Sequence, residues 1–283
     1  MTPTIGIIAP GNMGAGVAAR LTENKVTVLT TLAGRSTAST ERARAAGMTD
    51  VDERQLMEAD FLLSIVPPGE ALALAKRLAP LISAANRKPV YVDCNAVSPA
   101  TMIEIADVAA GTGAPFAAAG IIGPPPKLGS NNTKFYASGP AAKLFASLNN
   151  HGLVVRVLEG PLTAASALKM SYAGITKGFT ALGATMMLAA TRAGAAEALK
   201  AELAESQQAL LGWLTRQTPN MYAKAYRWVA ELDEIAGFVG SDKDEHAMLT
   251  AAARLYERIA ADYEGDKHDV TALDQFLKPP AKP

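Results

Sequence analysis

The chain has very little of what disulfides, metal centres and nucleic-acid surfaces require. Its 283 residues include one cysteine, Cys94, so an intrachain disulfide is excluded. The three histidines, His151, His246 and His268, are too scattered to have the spacing of metal ligands, and we predict no metal site. Acidic and basic residues number 27 each, and no basic block is present. The sequence therefore predicts no nucleic-acid partner.

Long apolar runs are also missing. The uncharged stretch Gly178–Thr191, which has helical spacing, has 14 residues, which is too short to span a bilayer about 30 Å thick. The first apolar run, Ile5–Ala9, is short and follows no basic segment, so no signal peptide is predicted. We therefore expect no membrane partner and a cytoplasmic location.

Two patterns divide the chain. Up to Gly160, short apolar runs typical of strands alternate with helical patterns, which predicts a parallel, doubly wound sheet of Rossmann type. Seven such runs are predicted as strands: Thr4–Ala9, Val26–Leu32, Phe61–Val66, Val90–Cys94, Pro115–Ile121, Lys134–Ala137 and Leu153–Val157. After Gly160-Pro161 only helical spacing remains. We predict an α/β dinucleotide-binding domain over 1–160 and an all-helical domain over 161–283, with Ser241 or Asp242 as the N-cap of one helix.

The N-terminal strand runs directly into a glycine turn, Pro10-Gly11-Asn12-Met13-Gly14, and then into a helical pattern. The helix start offers unpaired N–H groups to a pyrophosphate, Gly11 allows it to approach closely, and Gly14 allows tight packing of helix on strand. Ala9 occupies the first position of the G-x-G-x-x-G fingerprint, so the match is incomplete. We predict that residues 10–14 bind a dinucleotide; the alternative is an ordinary turn between strand and helix.

The loop after the second strand indicates which dinucleotide. No acidic residue lies between Lys25 and Glu41 to hold a free ribose 2′-hydroxyl. Thr31, Arg35 and Ser36 instead offer two hydroxyls and a guanidinium, which suit a 2′-phosphate. We predict a preference for NADP over NAD, although Arg35 could also be an ordinary exposed arginine.

A further segment, Val66-Pro67-Pro68, ends a predicted strand at the sheet edge where ligands bind in open α/β sheets. We predict that it contacts the nicotinamide–ribose end of the cofactor; a simple strand-ending turn is the alternative.

Lys169 is the candidate for proton transfer. It lies at the start of a long, mainly apolar helical pattern, with Tyr172, Ala173 and Thr176 on the same stripe. Such a lysine is either solvated or functional. Catalysis would require its pKa to fall from about 10.4 towards roughly 7–8 through burial.

Several segments occur in an order that resembles the β-hydroxyacid dehydrogenase and 6-phosphogluconate dehydrogenase superfamily. The segments are Asn12-Met13-Gly14, Ile65-Val66-Pro67, Asp93–Pro99, Gly120–Gly123 and the helix with Lys169. The C-terminal half, with Lys224–Ile235, resembles a less characterised branch with its own helical domain. The resemblance implies catalysis in a cleft between two domains, a homodimer formed through the helical domain, and a small-molecule substrate.

The resemblance also implies residue roles. Lys169 corresponds to the acid/base, and Asn95 with Ala96 to the loop that holds a substrate carboxylate beside the cofactor. Gly123 matches the glycine of a second substrate segment. Two positions depart from the family: Ile122 replaces a serine, and Tyr172 replaces an asparagine. A larger or less polar substrate is therefore expected.

Three functions remain open at this point. The first is an NADP-dependent dehydrogenase or reductase that acts on a hydroxyl/carbonyl pair. The second is an imine reductase on the same scaffold, whose members often lack the lysine. The third is a dinucleotide-binding protein without turnover.

Overall fold

The computed structural model describes residues 2–240 and 243–278, without the side chain of Lys243. Ser241 and Asp242, the predicted N-cap positions, lie outside the described residues. The chain divides into two compact units, one up to Met170 and one from Ser171.

The first unit contains a single sheet with the strand order β3-β2-β1-β4-β5-β6-β7-β8. Its strands are β1 (Thr4–Ile8), β2 (Thr27–Thr30), β3 (Thr49–Asp50), β4 (Phe61–Ser64), β5 (Val90–Asp93), β6 (Phe116–Ile122), β7 (Lys134–Ser138) and β8 (Val155–Val157). Six helices belong to this unit: α1 (Asn12–Glu23), α2 (Thr37–Ala45), α3 (Glu53–Leu56), α4 (Ala71–Ala84), α5 (Pro99–Thr112) and α6 (Ala142–Phe145). All seven predicted strands are present, and the Rossmann-type sheet is confirmed.

Two strands run against the others. β7 pairs antiparallel with β6, whereas the remaining pairs are parallel, so β7 and its parallel neighbour β8 both run opposite to the other six strands. A parallel neighbour needs a crossover connection, and the short loop over residues 123–133 contains no helix to provide one. The expectation of a fully parallel sheet is wrong at β7 and β8.

The sheet is covered on both faces, because alternate residues of each central strand point to opposite sides. On one face, Ile5 and Ile7 of β1 pack with Leu21 of α1 in a buried cluster. On the other face, Leu62 of β4 packs with Leu78 of α4. The parallel strands therefore bring their carboxyl ends to one edge of a rigid layer.

The first unit extends past the predicted boundary at residue 160, into α7 (Ala164–Arg192). The hydroxyl of Ser138 on β7 donates to Leu162 O at 2.6 Å and accepts from Ala165 N at 3.0 Å. These bonds attach the first turn of α7 to the sheet, so its residues up to Met170 group with the sheet.

The described part of the second unit contains only helices. They are the rest of α7, α8 (Ala196–Ser206), α9 (Gln208–Met221), α10 (Ala225–Phe238), α11 (Lys243–Glu264) and α12 (His268–Leu277). The all-helical prediction is confirmed. Within the residues described, none of the helices has the length and apolar character needed to cross a membrane.

A partly buried ion pair joins two helices of the second unit. Lys177 on α7 is 7% exposed and lies 2.7 Å from Glu231 on α10, with its Nζ 5.3 Å from the centre of the Trp228 ring. Trp228 packs edge-on against Tyr256 of α11, whose hydroxyl donates to Lys177 O. Trp228 is therefore a packing residue in this unit, because its ring faces other side chains.

Candidate functional site

The glycine turn has the geometry of an anion site. Gly11 is the N-cap of α1 with φ −68° and ψ 179°, and no side chain caps the helix. A methyl group added to Gly11 would meet nothing within 4 Å. The amides of Asn12, Met13 and Gly14 lie in the first helical turn, where the helix itself offers no acceptor, and no acidic residue lies there. Negative charge can therefore approach these donors closely.

Gly14 has a different function in the same turn. A methyl group on it would lie 2.1 Å from Ala9 O, at the end of β1. No side chain fits at this distance, so the start of α1 packs against the strand only because residue 14 is glycine.

Further polar groups surround the end of β2. Thr31 is 8% exposed, while Arg35 and Ser36 are exposed. Ser36 is the N-cap of α2 and accepts a hydrogen bond from Ser39 N. The sequence interpretation missed Arg42, which donates from Nε to Pro10 O at 3.2 Å and from Nη2 to Ser39 Oγ at 2.9 Å. This arginine links α2 to the glycine turn, and its spacing of three from Ser39 is the only signal in the sequence.

An acidic residue, Asp50, also lies beside this loop. It belongs to β3, a strand that the sequence did not predict. Asp50 of β3 pairs with Thr30 of β2, and its carboxylate accepts from Leu32 N at 2.9 Å. Asp50 lies 18 residues further along the chain than Leu32, outside the stretch from Lys25 to Glu41 in which the sequence has no acidic residue.

The carboxyl ends of β4 and β5 are joined by buried polar side chains, which we call the Asp93 network: Ser64, Asp93, Asn95 and the amide of Val66. Asn95 Oδ1 accepts from Val66 N at 2.7 Å, while Asn95 Nδ2 donates to Ser64 Oγ at 2.8 Å and to Asp93 Oδ2 at 2.9 Å. Asp93 Oδ1 accepts from Asn95 N at 3.0 Å. Both N–H groups of the Asn95 amide are thus used within the protein.

Burial of Asp93 raises the pKa of its carboxyl from an ordinary 3.8 to about 6, although hydrogen bonds from Asn95 and Ser64 oppose the increase. The native protein therefore binds a proton at Asp93 more readily than the unfolded chain does between pH 4 and 6.

This difference predicts how stability depends on pH. The pKa of Asp93 is higher in the native protein than in the unfolded chain. Its contribution to the free energy of unfolding is therefore greatest below pH 4 and decreases as the pH rises through 6. The total decrease is about 3 kcal/mol. Denaturant unfolding of the wild type and of Asp93→Asn between pH 3.5 and 7.5 measures this contribution of Asp93. The difference between the two free energies should change by roughly this amount; a constant difference would contradict the prediction.

Hydrogen bonds connect the turn after β4 to a neighbouring segment on each side. Ile65 O accepts from Ala9 N at 3.3 Å, and Val66 N is held by Asn95. Pro67 is exposed, and Pro68 begins a short 3-10 turn over Pro68–Glu70. The predicted Val66–Pro68 segment thus lies next to the glycine turn and the Asp93 network.

Lys169 lies against β6. A methyl group on Gly120 would come within 3.0 Å of both Lys169 Cβ and Ala165 O. Gly120 is two residues beyond Ala118, which pairs with Asp93, so it lies towards the carboxyl end of β6. The absence of a side chain at Gly120 lets this turn of α7, with its lysine, pack directly on the sheet at the edge that carries the glycine turn.

The other predicted substrate residues occupy the same edge or α7. Ile122 is half-buried at the end of β6, and Ala96 is half-buried beyond β5. Gly123 has φ +129°, and a methyl group there would lie 2.6 Å from Asn132 O, so the loop requires glycine. Tyr172, one turn beyond Lys169 on α7, is 48% exposed.

Comparison with known proteins identifies the family. The family described as the NAD binding domain of 6-phosphogluconate dehydrogenase matches residues 4–150, more than half of the chain. The chain belongs to this family. Residues 190–259 also match a domain of unknown function, DUF1932. The predicted class, an NAD(P)-dependent oxidoreductase related to 6-phosphogluconate dehydrogenase, is confirmed at the level of the family, and 4–150 is its NAD(P)-binding region.

Individual relatives match over nearly the full length. An uncharacterized 28.5 kDa protein of Methanothermus fervidus, from the 7S RNA 5′ region, is 25% identical over 90% of this chain and 98% of its own. A conserved protein of unknown function, described as structurally similar to 3-hydroxyacid dehydrogenases, is 27% identical with a TM-score of 0.72, covering 95% of this chain and 99% of its own.

Two groups of enzymes share the fold at lower identity. Mycobacterium tuberculosis 3-hydroxyisobutyrate dehydrogenase, solved with L-serine, is 18% identical with a TM-score of 0.72, covering 97% of this chain and 99% of its own. An imine reductase from Myxococcus stipitatus with NADP+ is 19% identical with a TM-score of 0.56, covering 98% of this chain and 100% of its own. A variant of that reductase was solved with NAD+.

Proposed function

We propose that the protein is an NADP-dependent oxidoreductase that acts on a hydroxyl/carbonyl carbon of a hydroxy-acid-like substrate, with Lys169 as general acid and base. The cofactor, when bound, accepts or supplies the hydride. One observation carries the proposal: Lys169 packs on Gly120 at the sheet edge where the glycine turn and the Val66–Pro68 turn also lie. In oxidation, Lys169 Nζ takes the proton of the substrate hydroxyl; in reduction it returns a proton to the carbonyl oxygen.

The residues of the first unit fit a dinucleotide. The open space at Gly11 and the amides of residues 12–14 suit a pyrophosphate at the start of α1. This start lies beside β1, whose neighbours are β2 on one side and β4 on the other. Open α/β sheets bind ligands at this point, where the strand order reverses. Val66, Pro67 and Pro68 would then contact the nicotinamide–ribose end.

Three residues support NADP rather than NAD. Thr31 is mostly buried, yet its hydroxyl has no hydrogen-bond partner among the described residues, which leaves it for a ligand. Arg35 and Ser36 are exposed beside it at the start of α2, whose first turn contains no acidic residue. A 2′-phosphate would receive charge-assisted hydrogen bonds from this loop.

Removal of the guanidinium at position 35 tests this preference. Arg35→Ala should raise the Kd for NADPH about tenfold and leave the Kd for NADH unchanged, because only NADPH carries the 2′-phosphate. Arg44→Ala, which removes an exposed arginine from the far end of α2, is the matched control. Fluorescence titration of both cofactors measures the effect. A wild type that binds NADH more tightly than NADPH would contradict the assignment.

The substrate should be larger or less polar than a short hydroxy acid. Ile122 and Tyr172 contribute apolar surface where the family has small polar groups, and the amide of Asn95 is already used within the Asp93 network. Because Asn95 N also donates to Asp93, contacts of this loop with a substrate carboxylate then depend on the backbone N–H of Ala96. Imine reduction is the second candidate, favoured by the fold shared with imine reductases.

A substrate screen separates these functions. Hydroxy acids, including aryl-substituted ones, are offered with NADP+, and cyclic imines with NADPH, while the absorbance of reduced nicotinamide is followed. We expect turnover of at least one hydroxy acid. Turnover of imines alone would replace the proposed substrate class, and cofactor binding without any turnover would favour the non-catalytic function.

A homodimer through the helical domain is part of the proposal. Five large apolar residues on α7 are 48–61% exposed and lie three or four residues apart: Tyr172, Ile175, Phe179, Leu182 and Met186. A stripe of this kind is typical of a helix that packs on a partner. Light scattering should give twice the chain mass of 29.4 kDa; the single mass would contradict the dimer. The cytoplasmic location stays a prediction.

A further inference from the structure

The turn after β4 has few backbone N–H groups that could form hydrogen bonds to hold it in place. Pro67 and Pro68 have no backbone N–H, so Val66 N is the last backbone donor before Gly69. Its acceptor is Asn95 Oδ1, at 2.7 Å, which belongs to the neighbouring strand end and not to the turn itself. The link between the turn and the end of β5 therefore depends on the orientation of one buried amide.

That orientation is set by Asp93. The two ends of an asparagine amide have nearly the same shape, and only their hydrogen bonds distinguish them. The Asp93 carboxylate accepts from Asn95 Nδ2 at 2.9 Å, which directs the NH2 group towards β5 and Ser64 and the oxygen towards Val66 N. Ser64 and Asp93 are fully buried and Asn95 is 3% exposed, so water cannot replace these partners.

We propose that Asp93 and Asn95 are positioning residues, which act through Val66 to hold the Val66–Pro68 turn in the shape that receives the nicotinamide–ribose end of the cofactor. The proposal rests on the proposed function, since it assumes a nicotinamide cofactor at this edge. It assigns Asn95 to the cofactor turn, by way of its side chain, rather than to a substrate carboxylate.

A reciprocal exchange of amide and carboxylate tests the network. In Asp93→Asn, the NH2 group introduced at position 93 faces Asn95 Nδ2, so two donors oppose each other. In Asn95→Asp, two carboxylates face each other. In the double variant Asp93→Asn/Asn95→Asp, the amide at 93 donates to the carboxylate at 95, which still accepts from Val66 N, while the Ser64 hydroxyl rotates to donate. The three side-chain bonds of residue 95 are then restored, with the polarity of two of them, to residue 93 and to Ser64, reversed.

Two ligands distinguish an effect on the Val66–Pro68 turn from a general effect on the cofactor site. NADPH reaches the turn with its nicotinamide, whereas adenosine 2′,5′-bisphosphate contains only the adenosine end. Each single variant should raise the Kd for NADPH at least about tenfold, and the double variant should return it to within about threefold of wild type. The Kd for adenosine 2′,5′-bisphosphate should stay within about twofold throughout. Thermal unfolding monitors whether each variant is folded.

The outcomes are distinct. Unchanged NADPH binding in both single variants would overturn the proposal, as would single-variant losses that the double variant does not restore. Equal losses for both ligands would assign the network a general structural function and overturn it too. If a single variant does not fold, Ser64→Ala, which removes only one acceptor of Asn95, should still raise the Kd for NADPH about threefold, and an unchanged Kd overturns the proposal. A wild type that binds neither ligand would instead refute the proposed function.

Discussion

Replacement of Lys169 by alanine is expected to reduce turnover by at least about a hundredfold, which is the usual scale of general acid–base help. The Kd for NADPH should be unchanged, because the predicted cofactor contacts come from the glycine turn, the β2 loop and the turn after β4. Steady-state rates on a substrate found by the screen, combined with cofactor titration, measure both quantities. Loss of kcat without loss of cofactor affinity is the expected result.

Two further lysine variants refine this test. Lys169→Arg keeps a positive charge but cannot release a proton near neutral pH, so it should be nearly as inactive as the alanine variant. Lys143→Ala, which removes an exposed lysine from α6 of the same unit, should retain wild-type rates. Activity within about threefold of wild type in Lys169→Ala would exclude this lysine as the acid/base.

Gly14→Ala should have the largest effect on stability. The added methyl group would lie 2.1 Å from Ala9 O, and this oxygen and the Cα that would carry the methyl group both belong to the backbone at the junction of β1 and α1. Overpacking of this kind costs about 2–3 kcal/mol or more, which corresponds to a fall in Tm of roughly 5–10 °C for a unit of this size. Calorimetric unfolding of the wild type and of Gly14→Ala measures this fall in Tm.

Gly11→Ala is the matched control for this substitution, three residues earlier in the same turn. Its φ of −68° suits any residue, and the methyl group would meet nothing within 4 Å. Its free energy of unfolding should stay within about 1 kcal/mol of wild type. Equal destabilisation by both substitutions would show that the close approach at Gly14 is not the cause.

Features that depend only on residues close together in the chain could be predicted from the sequence. The strand-to-glycine-turn transition was predicted because Ile5–Ala9 and Pro10–Gly14 are contiguous. β3 and α3 were missed, because a strand of two residues and a helix of four residues are too short to produce a periodic pattern. The predicted direction of β7 and β8 was wrong, because the apolar pattern of a strand is the same in either orientation.

The candidate site was predicted only in part, for a related reason. Lys169 and the turn residues were found because each belongs to a recognisable segment. The bonds from Arg42 to Pro10, from Leu32 to Asp50 and from Asn95 to Ser64 join residues 18 to 32 positions apart. Such contacts depend on strand order and register. They could not be read from one sequence without the fold.

Calorimetric titration with NADPH of the wild type and Gly11→Ala shows whether a nicotinamide dinucleotide binds through its pyrophosphate at the start of α1. We expect one NADPH bound per wild-type chain and a loss of at least about tenfold in affinity in the variant, because the methyl group occupies the space that the phosphate needs. Absence of NADPH binding by the wild type, or equal affinity in a folded Gly11→Ala protein, would contradict it.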